Sequence, residues 1–190
     1  MATALDELLR SCSIEITRRA RAAGSPVVLT GAENFASAVA AMQPLEASAT
    51  TVPVVELLAH VPVVPFAPMV APAAQEMPWT ASRRLGKGDD GSTVALGLVN
   101  EVRELGAVTC GFMLLAPNAR YPEHAHPPHE IYLPIAGNGQ WRYGGHASYR
   151  ALEPDSLVYN SPKVTHGAIA GDQLLLALYV LWPEEPLTAS

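Results

Sequence analysis

Apolar positions in the first sixteen residues fall on one side of a helix: Leu5, Leu8, Leu9, Cys12 and Ile16 recur at steps of three and four. Arg18, Arg19 and Arg21 follow where a helix C-terminus favours cations, and Gly24 is placed to end the helix. Thr30 and Glu33 stand at capping-box spacing ahead of Phe35, Val39 and Met42, which predicts a second helix starting there, and residues 54–60 carry a short third one. Residues 1–60 are read as a helical cap. Prolines at 62, 65, 68, 72 and 78 then deny a regular helix or a central strand to residues 61–78, which are expected to run extended as a connector.

From 79 to 190 the pattern changes to short strands divided by turn residues. Strands are predicted over 93–99, 108–116, 130–135, 140–143, 156–159 and 173–182. Tight turns are expected at Gly88-Asp89-Asp90-Gly91, Gly137-Asn138-Gly139 and Gly144-Gly145. Many short strands at this spacing build a sandwich or a small barrel. The run from Leu174 to Trp182 is apolar on both faces, so both must be covered, one by the barrel interior and the other by the helical cap or a second subunit, as in a homodimer.

Composition narrows the class. With 190 residues, 49% of them apolar and only 16% charged, the chain is globular and supports one main core. Its 18 acidic against 12 basic residues argue against a phosphate-binding surface, so nucleic acid is not an expected partner. The start of the chain mixes charges into its apolar residues and lacks a continuous signal-peptide core, and no later run approaches the length of a bilayer span, so a soluble cytoplasmic protein with no membrane partner is expected. Cys12 and Cys110, far apart on a helix face and a strand, read as two buried thiols rather than a disulfide.

The candidate chemistry lies in His124-Ala125-His126-Pro127-Pro128-His129-Glu130, followed by Gly137 and, further along, His166. Side chains alternate along a strand, so His124, His126, Glu130 and Tyr132 share one face if the Pro127-Pro128 step preserves parity. Imidazole nitrogens with a carboxylate oxygen suit Zn²⁺, Fe²⁺, Mn²⁺ or Ni²⁺. Three histidines and one glutamate leave a position open for water or substrate on a five- or six-coordinate ion. His129 has the opposite parity and is expected to face away, while His146 after a Gly-Gly turn and His60 in the helical cap are not candidates.

His-x-His, three residues, Glu, six residues and Gly, as in His124, His126, Glu130 and Gly137, resembles the first metal motif of the cupin superfamily, and Pro154 to His166 stands where the second belongs. Asn118 occupies the place of a usual glycine six residues before the first histidine, and Ser161 and Lys163 replace the proline and glycine of the second motif. These departures concern turn geometry rather than ligands. Within cupins the chain resembles the bacterial dimethylsulfoniopropionate (DMSP) lyases, through Tyr121, Glu130-Ile131-Tyr132, Tyr159-Asn160-Ser161-Pro162-Lys163-Val164-Thr165-His166 and Leu181-Trp182-Pro183. The resemblance implies a mainly β fold, a single cupin (double-stranded β-helix, jelly-roll) barrel with an N-terminal α-helical region.

It also implies a carbon–sulfur lyase holding one divalent metal, Zn, Fe or Mn, on His124, His126, Glu130 and His166, and cleaving DMSP by β-elimination to dimethyl sulfide and acrylate. The proton alpha to the carboxylate is weakly acidic, so a metal would stabilise the developing charge and a base is still required. Tyr132, on the ligand face, is the expected base, a ligand, or both. Tyr121 is expected to orient the substrate or assist proton transfer, and Tyr159 and Trp182 to line the pocket and attract the sulfonium cation. The same ligand set also serves Fe²⁺ dioxygenases, sugar-phosphate isomerases and non-catalytic metal-stabilised binding modules. A phosphate-handling isomerase wants several cations in its pocket, yet residues 121–165 carry only Arg142, Arg150 and Lys163.

Overall fold

The computed structural model describes residues 2–46, 66–83 and 93–184. The helix expected over 54–60, with His60, and the turn at 88–91 lie outside the described residues. Helix α1, Ala4–Ala23, starts in a reciprocal capping box between Thr3 and Asp6 and ends at Gly24, whose φ of 67° is the left-handed value that a helix stop favours. Leu5, Leu8, Leu9, Cys12 and Ile16 are all buried, so the expected stripe is the face that packs.

Helix α2, Pro26–Ala41, begins earlier than the expected cap at Thr30. Pro26 sits in the first turn, where its missing N–H costs nothing, and Thr30 hydrogen-bonds back to the Pro26 carbonyl at 3.1 Å from inside the helix. The proline-rich connector also departs from expectation, because it contains a short helix α3, Ala67–Ala74. Pro68 lies in that helix's first turn, and Pro72 forgoes only one hydrogen bond in an element eight residues long.

The strands are β1 (Gln43–Pro44), β2 (Trp79–Ala81), β3 (Val94–Leu98), β4 (Arg103–Glu104), β5 (Thr109–Leu115), β6 (Arg120–His124), β7 (His129–Ala136), β8 (Gly139–Arg142), β9 (Arg150–Ala151), β10 (Val158–Asn160), β11 (His166–Ala170) and β12 (Leu175–Trp182). They form a six-stranded sheet, β10-β7-β12-β5-β3-β2, a four-stranded sheet, β6-β11-β8-β9, and the small pair β1-β4. All pairings are antiparallel. All six expected strands are present within a residue or two of their predicted ends, while β2, β6, β9, β11 and the β1-β4 pair were not anticipated.

Two cores lie on opposite faces of the six-stranded sheet. Met113, Leu115, Tyr132, Val158, Leu175 and Ala177 point inward and meet Tyr121, Trp141, Ala168 and Ala170 from the four-stranded sheet, filling the barrel. Cys110, Phe112, Leu114, Ile131, Leu133, Leu178 and Val180 point outward and are covered by α1, α2 and α3. β12 supplies both faces, as its two-sided apolar sequence requires. Cys12 and Cys110 are free and buried in this outer core. Arg103, almost fully buried, ties the layers together by bonding Asp6 at 2.8 Å, Thr3 at 2.9 Å and Glu76 at 3.2 Å. This is a mainly β, single cupin barrel with helices mostly at its N-terminal side. No helix among the described residues is long and apolar enough to cross a membrane.

Candidate metal centre

His124 ends β6 and His166 begins β11, and the two are directly paired in the four-stranded sheet. His126 lies in the Pro-containing turn that follows, and Glu130 is the second residue of β7 in the facing sheet. The turn preserves parity, so the four side chains converge: one donor atom from each lies within 4.8 Å of all the others. The ring centroids of His124 and His166 are 4.2 Å apart, and those of His126 and His166 are 4.9 Å apart. His166 and Glu130 are buried, while His124 and His126 are partly open at the mouth.

Each histidine is oriented by the backbone beside it. Nδ1 of His124 bonds the Pro122 carbonyl at 2.8 Å, Nδ1 of His126 the Pro128 carbonyl at 3.1 Å, and Nδ1 of His166 the Val164 carbonyl at 2.8 Å. A carbonyl only accepts, so each Nδ1 carries a hydrogen, and each Nε2 is left as the atom that can offer a lone pair to the cluster. His166 Nε2 lies 2.9 Å from Glu130 Oε2 but off the line of a hydrogen bond, and this buried nitrogen has no hydrogen-bond partner among the described residues. Lone pairs of imidazole and carboxylate aimed at one point repel unless a cation stands among them. The residues therefore fit a divalent ion with a nitrogen-rich donor set and backbone-fixed imidazoles.

Burial pushes the Glu130 carboxyl pKa up, while His126 and His166, when they carry a proton on Nε2, hold it down to about 2; a cation among the same atoms acts in the same direction. Asn160, directly opposite in β10 and fully buried, donates from Nδ2 to Glu130 Oε2 at 3.3 Å. Tyr132 follows Glu130 on the same face and is buried. Burial first, then the charge of Glu130, raise its phenol well above the ordinary value of 10.

The cluster opens into a cavity of about 90 Å³ lined by Leu96, Tyr121, His124, His126, Glu130, Tyr132, Tyr179 and Leu181. Tyr121 stands edge-on to His124, with centroids 4.9 Å apart. Among the described residues, no lysine or arginine lines this cavity. A larger one of about 620 Å³ lies between α1 and the loop before β10, but it holds none of the four donors, and its Glu15, Arg18, Arg19 and Asp155 are paired with one another.

The structure thus brings together His124, His126, Glu130, His166, Tyr121 and Tyr132. It does not bring Tyr159 or Trp182 there. Tyr159 is paired with Ile131 and Trp182 with His129, positions of the opposite parity, so both side chains lie on the helix-facing side of the sheet. There the rings of His129 and Trp182 stack at 5.2 Å, the Tyr159 hydroxyl lies 2.8 Å from His129 Nδ1, and the Trp182 indole occupies space that only Gly31 of α2 leaves open. His129 faces away as its parity predicts, and His146 is not among the clustered donors. The aromatic residue from β12 in the cavity is Tyr179, paired with Tyr132. Its signal in the sequence is slight: it is the only hydroxyl in the run from Leu174 to Trp182. Asn160 gave no signal, since only its pairing with Glu130 makes it part of the centre.

Residues 92–177 match the family model for dimethylsulfoniopropionate lyase. The fold is similar to the crystal structure of DMSP lyase DddQ from Ruegeria pomeroyi DSS-3, with a TM-score of 0.72 at 20% identity over 98% of this chain and 94% of that one. It is also similar to a structure described as DMSP lyases RdDddP and RnDddQII, with a TM-score of 0.61 at 18% identity over 78% of each chain. At such identities these likenesses speak for the fold. No curated protein matches the chain by sequence. The stretch that matches the dimethylsulfoniopropionate lyase family model, residues 92–177, holds all four clustered donors and both Tyr121 and Tyr132 beside them, on a barrel similar in fold to those lyases.

Proposed function

We propose that this protein cleaves DMSP to dimethyl sulfide and acrylate at a divalent metal held by His124, His126, Glu130 and His166. The observation that carries this reading is the convergence of three oriented Nε2 atoms and one carboxylate beside Tyr132, in a cavity that no lysine or arginine lines among the described residues. When bound, the ion supplies Lewis acidity toward the substrate carboxylate and a positive field that lowers the phenol pKa of Tyr132.

The protein does the rest. With no lysine or arginine among the described residues of the lining, a carboxylate meets no competing partner there and a phosphorylated substrate no basic side chain of that kind, which disfavours the isomerase alternative. Tyr132, as phenolate, takes the proton alpha to the carboxylate. The electron pair of that C–H bond becomes the C=C bond of acrylate, and the C–S bond breaks with its pair going to sulfur, which leaves as neutral dimethyl sulfide. The phenol then returns its proton to solvent. Tyr121 and Tyr179 present aromatic rings to the cavity, where the cationic sulfonium is favoured over water, with Tyr121 orienting the substrate.

Chelator-stripped protein reloaded with Zn²⁺, Fe²⁺ or Mn²⁺ in turn, with dimethyl sulfide followed by gas chromatography, tests the reading. Activity should vanish on stripping and return with at least one ion. Tyr132→Phe should keep its metal while turnover falls by about 10²–10⁴-fold, the usual contribution of a general base. Full turnover in Tyr132→Phe removes it as the base; no dimethyl sulfide with any ion removes the lyase reading.

A further inference from the structure

We infer that Asn160 is a positioning residue of the metal centre, one that fixes Glu130 in the orientation in which a single oxygen, Oε2, faces the histidines. Asn160 is fully buried and lies directly across the β7-β10 pairing from Glu130. Its Nδ2 donates to Oε2 at 3.3 Å, and the same oxygen lies 3.3 Å from His126 Nε2 and 2.9 Å from His166 Nε2. One carboxylate oxygen is thus shared by the amide and by two of the imidazoles.

The orientation of the carboxamide follows from charge. Turned over, it would set Oδ1 against the Glu130 carboxylate, two acceptors face to face at a site where nothing shields them. Held as it is, it leaves Oδ1 buried with no hydrogen-bond partner among the described residues. Asn160 lines a narrow gap with Tyr121, Tyr132, Trp141 and His166, and that gap has no room for a water molecule to supply the missing bond. A buried amide that keeps one of its groups unsatisfied is costly for folding alone, so its presence here points to the bond it does make. Hydrogen bonds from outside the ligand set fix ligand orientation, and their loss typically weakens metal affinity 10- to 100-fold.

The inference rests on the metal-centre reading above, and its test separates the two. Zn²⁺ affinity is measured by competition with a chromophoric chelator, and coordination by the visible absorption of Co²⁺-loaded protein, for wild type, Asn160→Ala and Asn160→Ser. Asn160→Ala should lose about 10- to 100-fold in Zn²⁺ affinity and alter the Co²⁺ spectrum, while the metal-free protein unfolds at an unchanged or higher temperature. Asn160→Ser, which keeps a hydroxyl donor, should fall between the two. In a Glu130→Gln background, Asn160→Ala should have little further effect on Zn²⁺ affinity. A variant of either kind that folds with wild-type affinity and an unchanged spectrum overturns the inference, as does a loss that persists undiminished without the Glu130 carboxylate. If Asn160→Ala does not fold, Asn160→Ser decides alone, and failure of both to fold while Glu130→Gln folds also overturns it, because the role would then be structural. Wild-type protein that takes up neither ion sinks the metal-centre reading itself.

Discussion

Gly137, Asn118 and Lys163 show what the motif positions need from the backbone. Gly137 has φ of 81° and a Cβ there would collide with the Leu174 carbonyl, so it is required on two counts. Asn118 and Lys163, which stand where cupin motifs carry glycine, take φ of 60° and 63°. The departures from the motif therefore left the turns in the shape glycine would give them. Lys163 uses that shape to donate its backbone N–H to the His126 carbonyl at 2.8 Å, joining the second motif to the first. A left-handed conformation costs an ordinary L residue roughly 1–2 kcal/mol, whereas asparagine tolerates it. Allowing for the extra freedom of glycine when unfolded, Lys163→Gly should stabilise by about 0.5–1 kcal/mol, and Asn118→Gly should be near neutral. Urea unfolding with chelator present checks this, and a loss on Lys163→Gly would show that the lysine side chain itself contributes. At this scale the clustering of His124, His126 and Glu130 was legible because spacings of two and four in extended chain place side chains on one face. Tyr159 and Trp182 were misassigned because a strand residue's face is known only once its register is known.

At the scale of elements, α1 was the easiest to read and also carries a clamp its sequence did not announce. Glu15 bonds Arg18 and Arg19, which reach Asp155 and the Ser156 carbonyl in the loop before β10. The Glu15 carboxyl is held down to about 2 by the Arg18 hydrogen bonds first, with burial opposing and Arg19 reinforcing. A carboxyl depressed in the folded state stabilises the protein above its ordinary pKa of 4.5, and that contribution is lost as pH falls toward 2. Glu15→Gln should therefore cost about 0.5–1 kcal/mol at pH 7 and make the decline of stability between pH 4.5 and 2 shallower, measured by denaturant unfolding across that range. An unchanged acid profile would show that the pairs contribute nothing. The start of α2 and the presence of α3 were misread for one reason: proline was scored as a helix breaker, yet in a first turn its missing N–H has no partner to lose.

For the whole molecule, the six-stranded sheet is the member that matters, with a filled barrel on one face and the described helices α1, α2 and α3 on the other. Its β7 and the facing β6 and β11 bring the donors together, so the centre exists only in the folded chain. An ion that binds the native state alone stabilises it by mass action, about 2.7 kcal/mol at a hundred times the dissociation constant. For a chain of this size that is a rise of roughly 5–10 °C in Tm. Scanning calorimetry with and without chelator should show this difference, and His166→Ala should abolish it. Equal melting of stripped and loaded wild type would leave the cluster without an ion to hold.

The sequence by itself determined the helical start, the strand-rich remainder, the buried thiols and which three histidines and one glutamate cluster, because each of these is written in local periodicity or in the chemistry of residue types. Only the tertiary structure decided that Tyr179 rather than Tyr159 or Trp182 enters the cavity, and that Asn160 meets Glu130. Those are facts of pairing between distant strands, and a one-residue change of register sends a side chain to the other face. Local sequence can name what a strand carries, but which side it turns inward is settled by its neighbours.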